Sequence, residues 1–245
     1  MRSVALPRMR RTLPCAPVPG ESFEERKRRA GRITRRLART YPDAKCALHY
    51  ETPFELLVAT ILSAQCTDAM VNRVTPALFE RWGTPEKLAL ADPAEVEAVV
   101  RPTGFYRQKT KSIQASAQDI VTRFGGEVPR TLEELVTLRG VARKTANVVL
   151  GNCFDIPGLT VDTHMTRVNQ RLRLTRETDP VKIERDLMEL LPPREWTLYS
   201  HRVIQHGREV CDARKPLCAG CALRGECPFP GSAAARARKP RRSRR

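Results

Sequence analysis

The chain has 245 residues, with 44 Lys and Arg against 27 Asp and Glu, and a formal net charge of +17. This length allows one large domain or two small ones with a real hydrophobic core. No run of about 18 apolar residues occurs, which excludes a membrane-spanning helix, and the basic excess favours a polyanionic partner such as nucleic acid.

Both ends of the chain are predicted to be disordered basic segments. Residues 1–22 hold four prolines and show no periodicity, and residues 232–245 are a low-complexity run rich in Arg and Ala. These ends carry much of the positive charge, but the middle of the chain is still basic.

Between these ends, the apolar residues follow the period of a helix, and no stretch longer than a few residues alternates apolar with polar. The sequence therefore predicts an all-α protein. Thr52-Pro53-Phe54-Glu55 and Asp92-Pro93-Ala94-Glu95 are capping signatures with Pro at the first helical position. The expected helices cover about residues 24–40, 54–63, 69–82, 96–100, 110–124, 132–138, 145–150, 163–172, 181–191 and 196–207.

Residues 138–150, Leu-Arg-Gly-Val-Ala-Arg-Lys-Thr-Ala-Asn-Val-Val-Leu, predict a helical hairpin that carries a lysine. Gly140 ends the first helix, because glycine takes positive φ without a Cβ penalty. The start of the second helix then offers free backbone N–H groups where a phosphate can bind. Lys144 falls in the first turn of that helix, beside Val148 and Val149. These apolar neighbours predict a desolvated amine, which is an unusual environment for an ammonium group.

Four of the eight cysteines lie within 17 residues, which indicates a metal site in a reducing compartment rather than a disulfide framework. Their spacing, Cys-x6-Cys-x2-Cys-x5-Cys, has one close pair flanked by wider gaps, whereas zinc sites more usually show two close pairs. Four thiolates also suit a [4Fe–4S] cluster, which needs a wider cage. The spacing favours iron–sulfur over zinc and leaves both open. The cysteines are Cys211, Cys218, Cys221 and Cys227.

Four motifs in this order carry a family resemblance: Leu-Ser-Ala-Gln-x-Thr-Asp at 62–68, the hairpin at 138–150, Val-Asp-Thr-His at 161–164, and the cysteine cluster. Together they resemble the endonuclease III family of helix–hairpin–helix DNA glycosylases. The resemblance covers about residues 22–230, and the combination of motifs is highly specific.

The resemblance implies a bifunctional DNA glycosylase and abasic-site lyase of base excision repair. Such an enzyme removes oxidised pyrimidines from damaged double-stranded DNA and nicks the strand by β-elimination. The resemblance also implies two helical domains with a DNA cleft between them. These are a six-helix barrel at residues 46–156 and a [4Fe–4S] cluster domain at 23–45 and 157–231, where the four cysteines hold the cluster. We further expect a monomer that acts in the cytoplasm at the nucleoid, without a membrane partner.

Two residues match the family's catalytic positions. Lys144 matches the nucleophile that attacks C1′ and remains bonded as a Schiff base, which makes β-elimination the natural second step. Asp162 matches the catalytic carboxylate, which either accepts a proton from the lysine or stabilises positive charge on the sugar.

Gln65 matches the residue that fills the hole left by the flipped base, and Phe105 stands at the second inserted position, which is usually Leu.

The remaining expected DNA contacts come from the hairpin, from the Val-Asp-Thr-His motif and from the loop between the first two clustered cysteines. Two hairpin positions depart from the family pattern, since Arg139 replaces Pro and Ala142 replaces a second Gly. A positive φ at Ala142 would store about 1 kcal/mol of strain. The phosphate is also expected to contact the backbone less closely at Ala142, and we expect Arg139 to compensate by contacting a phosphate itself. The expected contacts are Arg139, Gly140, Ala142, Arg143, Thr145, His164, Arg214 and Lys215.

Two other functions stay open from the sequence. A mismatch adenine glycosylase shares the cluster, but it lacks the catalytic lysine and carries a C-terminal Nudix-like domain that this sequence does not show. A non-catalytic iron–sulfur protein that binds DNA and senses redox state would not need Lys144 and Asp162 together.

Overall fold

The computed structural model describes residues 18–229, and all regular structure within this range is helical. The predicted all-α class is confirmed. No helix in the described range is long and apolar enough to span a membrane. The predicted disorder of residues 1–22 falls mostly, and that of residues 232–245 entirely, outside the described residues.

Most of the eleven α-helices of the described range begin close to the predicted start signals. The side chains of Ser22, Thr52, Thr67 and Asp162 accept the N-capping hydrogen bonds of α1, α2, α3 and α9. Their bounds are α1 Phe23–Thr40, α2 Pro53–Leu62, α3 Asp68–Trp82, α4 Pro85–Ala89, α5 Pro93–Val100, α6 Tyr106–Phe124, α7 Leu132–Leu135, α8 Arg143–Cys153, α9 Thr163–Arg171, α10 Pro180–Leu190 and α11 Trp196–Glu209. Short 3-10 turns lie at Arg101–Thr103 and Pro193–Glu195.

Some helix boundaries differ from the prediction. Helix α4 was not expected, because five residues are too short to show a period. Helix α6 begins at Tyr106 rather than near residue 110, since its N-cap, Phe105, is a left-handed residue that gives no capping signal. Helix α7 ends at Leu135, earlier than expected, and α8 begins at Arg143, earlier than expected.

The buried apolar side chains form two separate cores. The first core is built by α2 to α8, and the second by α1 together with α9 to α11 and Leu223. The helices α8 and α11 join them. They approach closely at Gly151, where a Cβ would lie 2.6 Å from Thr197 Oγ1. The two cores support the predicted domain division near residues 45 and 157, which stays a prediction.

Candidate active site

An open cleft of about 800 Å³ is walled by residues of both cores. Lys144 and Asp162 both line it, Lys144 from the first turn of α8 and Asp162 from the segment before α9. Val148 and Asn152 follow Lys144 at intervals of four residues and line the cleft too, so one face of α8 forms a wall. The rest of the wall comes from residues 43–50, from the end of α2, from Asp68 and Thr160, and from α11. The fold thus brings the two predicted catalytic residues to the same opening.

The turn between α7 and α8 needs glycine at position 140 for two reasons. Gly140 has φ +82°, and a Cβ there would lie 2.9 Å from Ser112 Cβ on α6. The neighbouring Arg139 carbonyl accepts a hydrogen bond from Ser116 Oγ at 2.8 Å. Ser116 therefore holds the turn by a hydrogen bond, Ser112 limits the space at Gly140, and Arg139 itself remains exposed.

Ala142 does not store the strain that a positive φ would cause. Its backbone is extended, with φ −91° and ψ 167°. Ala142 is the N-cap of α8 and makes no side-chain capping hydrogen bond. The first N–H groups of α8 consequently lack a side-chain partner, as the sequence predicted for a phosphate site.

The predicted desolvation of Lys144 is wrong for the protein without DNA. Lys144 is exposed, whereas Val148 is 8% exposed and Val149 is fully buried. Both valines belong to the first core, and Val148 also lines the cleft one helical turn after Lys144, but neither covers the ammonium group. Asp162 is half-buried, and its Oδ1 accepts a hydrogen bond from the Met165 N–H at 2.8 Å. This bond fixes the carboxylate and leaves Oδ2 for a second role.

His164 packs between α9 and α11. Its Nδ1 accepts a hydrogen bond from Arg167 Nη2 at 2.9 Å, and a Cβ at Gly207 would lie 2.9 Å from the ring. Burial lowers the pKa of His164, although the Asp162 charge opposes this. The hydrogen bond to Nδ1 and the lowered pKa both favour a neutral imidazole. The ring is held by Arg167 and by its packing against Gly207.

Two hairpin residues expected to contact DNA, Arg143 and Thr145, are only partly available, because the first is paired within the protein and the second is buried. Arg143 donates Nε to Glu184 Oε2 at 2.6 Å and Nη2 to Glu184 Oε1 at 3.1 Å. This pairing raises the pKa of Arg143. Thr145 is 9% exposed, so it offers little more than its backbone to a phosphate. Gly140 and Ala142 remain exposed.

The two residues expected to insert into DNA share a backbone feature. Gln65 has φ +52° and Phe105 has φ +49°, and both side chains are exposed, Phe105 to 68%. Non-glycine residues in this region cost about 1 kcal/mol or more, and such strain is typical of functional loops. Lys109 is buried next to the loop that carries Phe105, and its Nζ donates a hydrogen bond to the Thr103 carbonyl at 2.7 Å.

The four clustered cysteines line one cavity of the second core. Within residues 18–229, no three Cys, His, Asp or Glu side chains lie close enough to hold one metal ion. A tetrahedral zinc would need sulfurs about 3.8 Å apart, because each Zn–S bond is about 2.3 Å. Four thiols that line one cavity are a donor set that suits the larger cage of a [4Fe–4S] cluster.

Arginine side chains and an aspartate shape the loop that follows Cys211. Arg171 donates to the Cys211, Asp212 and Ala213 carbonyls at 3.2, 2.7 and 2.9 Å. Asp212 Oδ1 accepts from the Arg214 and Lys215 N–H groups at 2.8 and 2.9 Å. These bonds lower the pKa of Asp212 and leave the Arg214 and Lys215 side chains exposed.

Sequence reasoning missed three residues of this region. Glu184 and Arg208 sit on amphipathic helices among other charged residues, and nothing local distinguishes them. Arg208 pairs with Asp68 across the cleft, Nη2 to Oδ2 at 2.7 Å. Asn147 lies inside the hairpin motif, and its polarity on a buried face is the one signal that the sequence offered.

Comparison with known proteins identifies the family. The family model described as HhH-GPD superfamily base excision DNA repair protein matches residues 58–193. The chain is 56% identical to endonuclease III of Synechocystis sp. over 204 residues, covering 83% of this chain and 93% of that protein. It is 46% identical to endonuclease III of Bacillus subtilis over 188 residues, covering 76% and 86%. The chain belongs to the endonuclease III family.

Solved structures agree. A non-covalent endonuclease III–DNA complex matches with a TM-score of 0.80 and 41% identity, covering 87% of this chain and 99% of that one. A trapped endonuclease III–DNA covalent intermediate also matches with a TM-score of 0.80 and 41% identity, covering 86% and 99%. The predicted enzyme class, a base excision repair glycosylase and lyase, is thereby confirmed. The endonuclease III family generally carries a [4Fe–4S] cluster.

Proposed function

We propose that this enzyme excises oxidised pyrimidines from double-stranded DNA and nicks the strand by β-elimination through a Schiff base on Lys144. The observation that carries the proposal is the shared cleft of Lys144 and Asp162 beside the uncapped start of α8. A base in the stack is out of reach of an amine, so the nucleotide must be flipped into this cleft, at a cost of a few kcal/mol.

The proposed chemistry makes Lys144 the nucleophile and gives Asp162 a supporting role. The Lys144 amine attacks C1′ as the glycosidic bond breaks, and the base leaves with the bonding electron pair and takes up a proton that the amine nitrogen loses. O4′ then takes up a proton from solvent and the C1′–O4′ bond breaks, which opens the sugar ring and leaves an iminium between the nitrogen and C1′. The iminium acidifies the C2′ protons, and loss of one proton expels the 3′ phosphate. Asp162 carries negative charge at the cleft, where it accepts a proton from Lys144 or stabilises positive charge on the sugar. Its capping bond to α9 holds it in place for either role.

DNA binding is proposed to use three surfaces. The free N–H groups at the start of α8, with exposed Arg139, hold a phosphate. Gln65 and Phe105 enter the duplex from their strained loops. Arg214 and Lys215, exposed on the loop after Cys211, contact phosphates further along the strand.

We infer that Cys211, Cys218, Cys221 and Cys227 hold a [4Fe–4S] cluster with a structural role. When bound, such a group supplies a fixed scaffold for the loop that carries Arg214 and Lys215. Iron and sulfide content, together with visible absorbance, would test the assignment, with Cys66→Ser as the control for a cysteine outside the cavity. A yellow-brown absorption that Cys221→Ser weakens is expected. Stoichiometric zinc without sulfide would contradict it.

The first experiment measures strand nicking on two duplexes, one with thymine glycol and one with an abasic site, with borohydride trapping alongside. Wild type is expected to nick and to trap both, and Lys144→Ala neither. Asp162→Asn tests the carboxylate while it keeps an oxygen that can cap α9. Normal trapping by Lys144→Ala would refute the assignment of the nucleophile. Nicking of neither duplex by a folded wild type would favour a non-catalytic DNA-binding protein, and excision of adenine from a mismatch without trapping would favour a mismatch adenine glycosylase.

We further propose that the enzyme acts as a monomer in the cytoplasm, associated with the nucleoid.

A further inference from the structure

A buried carboxylate of the second core reaches into the hairpin of the first. Glu184 lies on α10 and is 3% exposed. It accepts the two bonds from Arg143 described above and a third from Asn147 Nδ2 to Oε1 at 3.0 Å. Arg143 and Asn147 lie one turn apart on α8. A single carboxylate therefore fixes the first turn of the helix that carries Lys144.

Asn147 extends this contact toward the other proposed catalytic residue. It is 5% exposed, and the same Nδ2 donates to the Leu159 carbonyl at 2.9 Å. A Cβ at Gly158 would lie 2.9 Å from Asn147 Oδ1, so the segment at 158–159 is pressed against this amide. That segment leads directly to Asp162.

We propose that Glu184 is a positioning residue that sets the first turn of α8 against the Leu159–Asp162 segment, and so places Lys144 relative to Asp162. This inference rests on the proposed function. Lys144 follows Arg143 directly in the chain, and its own side chain is exposed. Rigid placement must accordingly come from its neighbours. A displacement of about 1 Å between reacting groups can lower a rate by about 100-fold.

The same contact restrains Arg143 as a DNA ligand. Its guanidinium directs two N–H groups to Glu184, although 43% of the side chain is exposed. Loss of the carboxylate would release a cation beside the phosphate site at the start of α8. The chemistry and the DNA affinity should consequently change in opposite directions, which a purely structural ion pair does not predict.

The experiment compares Glu184→Gln with wild type in two measurements. The first is the single-turnover rate of borohydride trapping on an abasic duplex. The second is the Kd for a duplex with a tetrahydrofuran abasic analogue across a range of salt. Glu177→Gln is the matched control, because it removes an equal charge from a carboxylate that is 41% exposed and faces Lys182 at 4.0 Å. We expect Glu184→Gln to trap at least about 10-fold more slowly. We also expect its DNA affinity to rise, with a salt slope steeper by about 0.9.

Arg143→Ala completes the test. It should slow trapping as well, but without the gain in affinity, because the released cation is absent. Trapping by Glu184→Gln at the wild-type rate would overturn the proposal. The proposal would also be overturned if the slower trapping by Glu184→Gln were explained entirely by its unfolded fraction, so that the rate returned to the wild-type value at lower temperature. If wild type itself does not trap, the proposed function fails and the positioning role fails with it, whereas trapping by wild type and by Glu177→Gln isolates Glu184.

Discussion

Replacing Gly140 with Ala should be among the most damaging single-methyl changes outside the cores. Two separate penalties apply. The backbone at φ +82° costs about 1–2 kcal/mol for a residue with a Cβ. The new Cβ would also lie 2.9 Å from Ser112 Cβ and 3.1 Å from Ser112 Oγ, and relief of such an overlap costs about 1–3 kcal/mol. The expected loss is about 2–5 kcal/mol of unfolding free energy.

Gly125 provides a control for the backbone penalty alone. It has φ +63°, but a Cβ there would meet nothing within 4 Å. Gly125→Ala should thus lose only about 1–2 kcal/mol. Urea unfolding of the two variants would separate the two penalties, and DNA affinity should fall for Gly140→Ala, because the displaced turn carries the proposed phosphate site.

A double-mutant cycle tests the cause of the difference. Ser112→Gly alone should cost about 1 kcal/mol, since glycine weakens the interior of α6. Combined with Gly140→Ala, it removes the overlap and should recover about 1–3 kcal/mol as coupling energy. Equal losses for Gly140→Ala and Gly125→Ala, or a coupling energy near zero, would refute the reasoning.

Three further outcomes follow from single side chains. Burial lowers the pKa of His201 below 6.5, so the unfolded chain binds the proton more readily; stability is full above about pH 6.5 and falls as pH drops below it. Urea unfolding from pH 7 to pH 5 should show this decline, and it should be smaller in His201→Gln. Lys109→Met should cost about 1–3 kcal/mol, because it leaves the Thr103 carbonyl without its donor. Thymine glycol excision should fall more than abasic-site nicking if Lys109 supports the Phe105 loop, and equal falls would contradict that. Arg139→Ala should reduce the salt slope of DNA binding by about 0.9 at unchanged stability, and an unchanged slope would remove Arg139 from the phosphate contacts.

Local sequence signals were sufficient wherever a feature depends on neighbouring residues. The capping residue Thr52 acts as predicted, since a cap bonds to N–H groups within three residues. Gly140 takes the positive φ predicted for it. The start of α6 was missed because Phe105 enters the helix from a left-handed backbone, which no residue type other than glycine or asparagine announces.

Sequence-based expectations about the surroundings of individual side chains were less reliable than those about helix caps and turns. Two valines beside Lys144 in sequence predicted a desolvated amine, but Val149 faces the core, and Val148, one helical turn after Lys144, lines an open cleft without covering the amine. The strain considered for Ala142 does not arise, since the chain passes through the turn with an extended residue there. Arg143 was expected to serve DNA alone, and the structure gives it a carboxylate partner from α10.

The sequence by itself determined the helical class, most of the helix starts, the lysine-bearing hairpin and the group of four cysteines, because each of these depends on spacing along the chain. It also carried the family, through motifs whose order is specific. Only the tertiary structure decided that Lys144 and Asp162 share a cleft, that Ser112 crowds Gly140, and that Glu184 joins the two cores through Arg143 and Asn147. The physical reason is that these contacts join residues far apart in the chain, and their partners are chosen by how helices pack rather than by any local pattern.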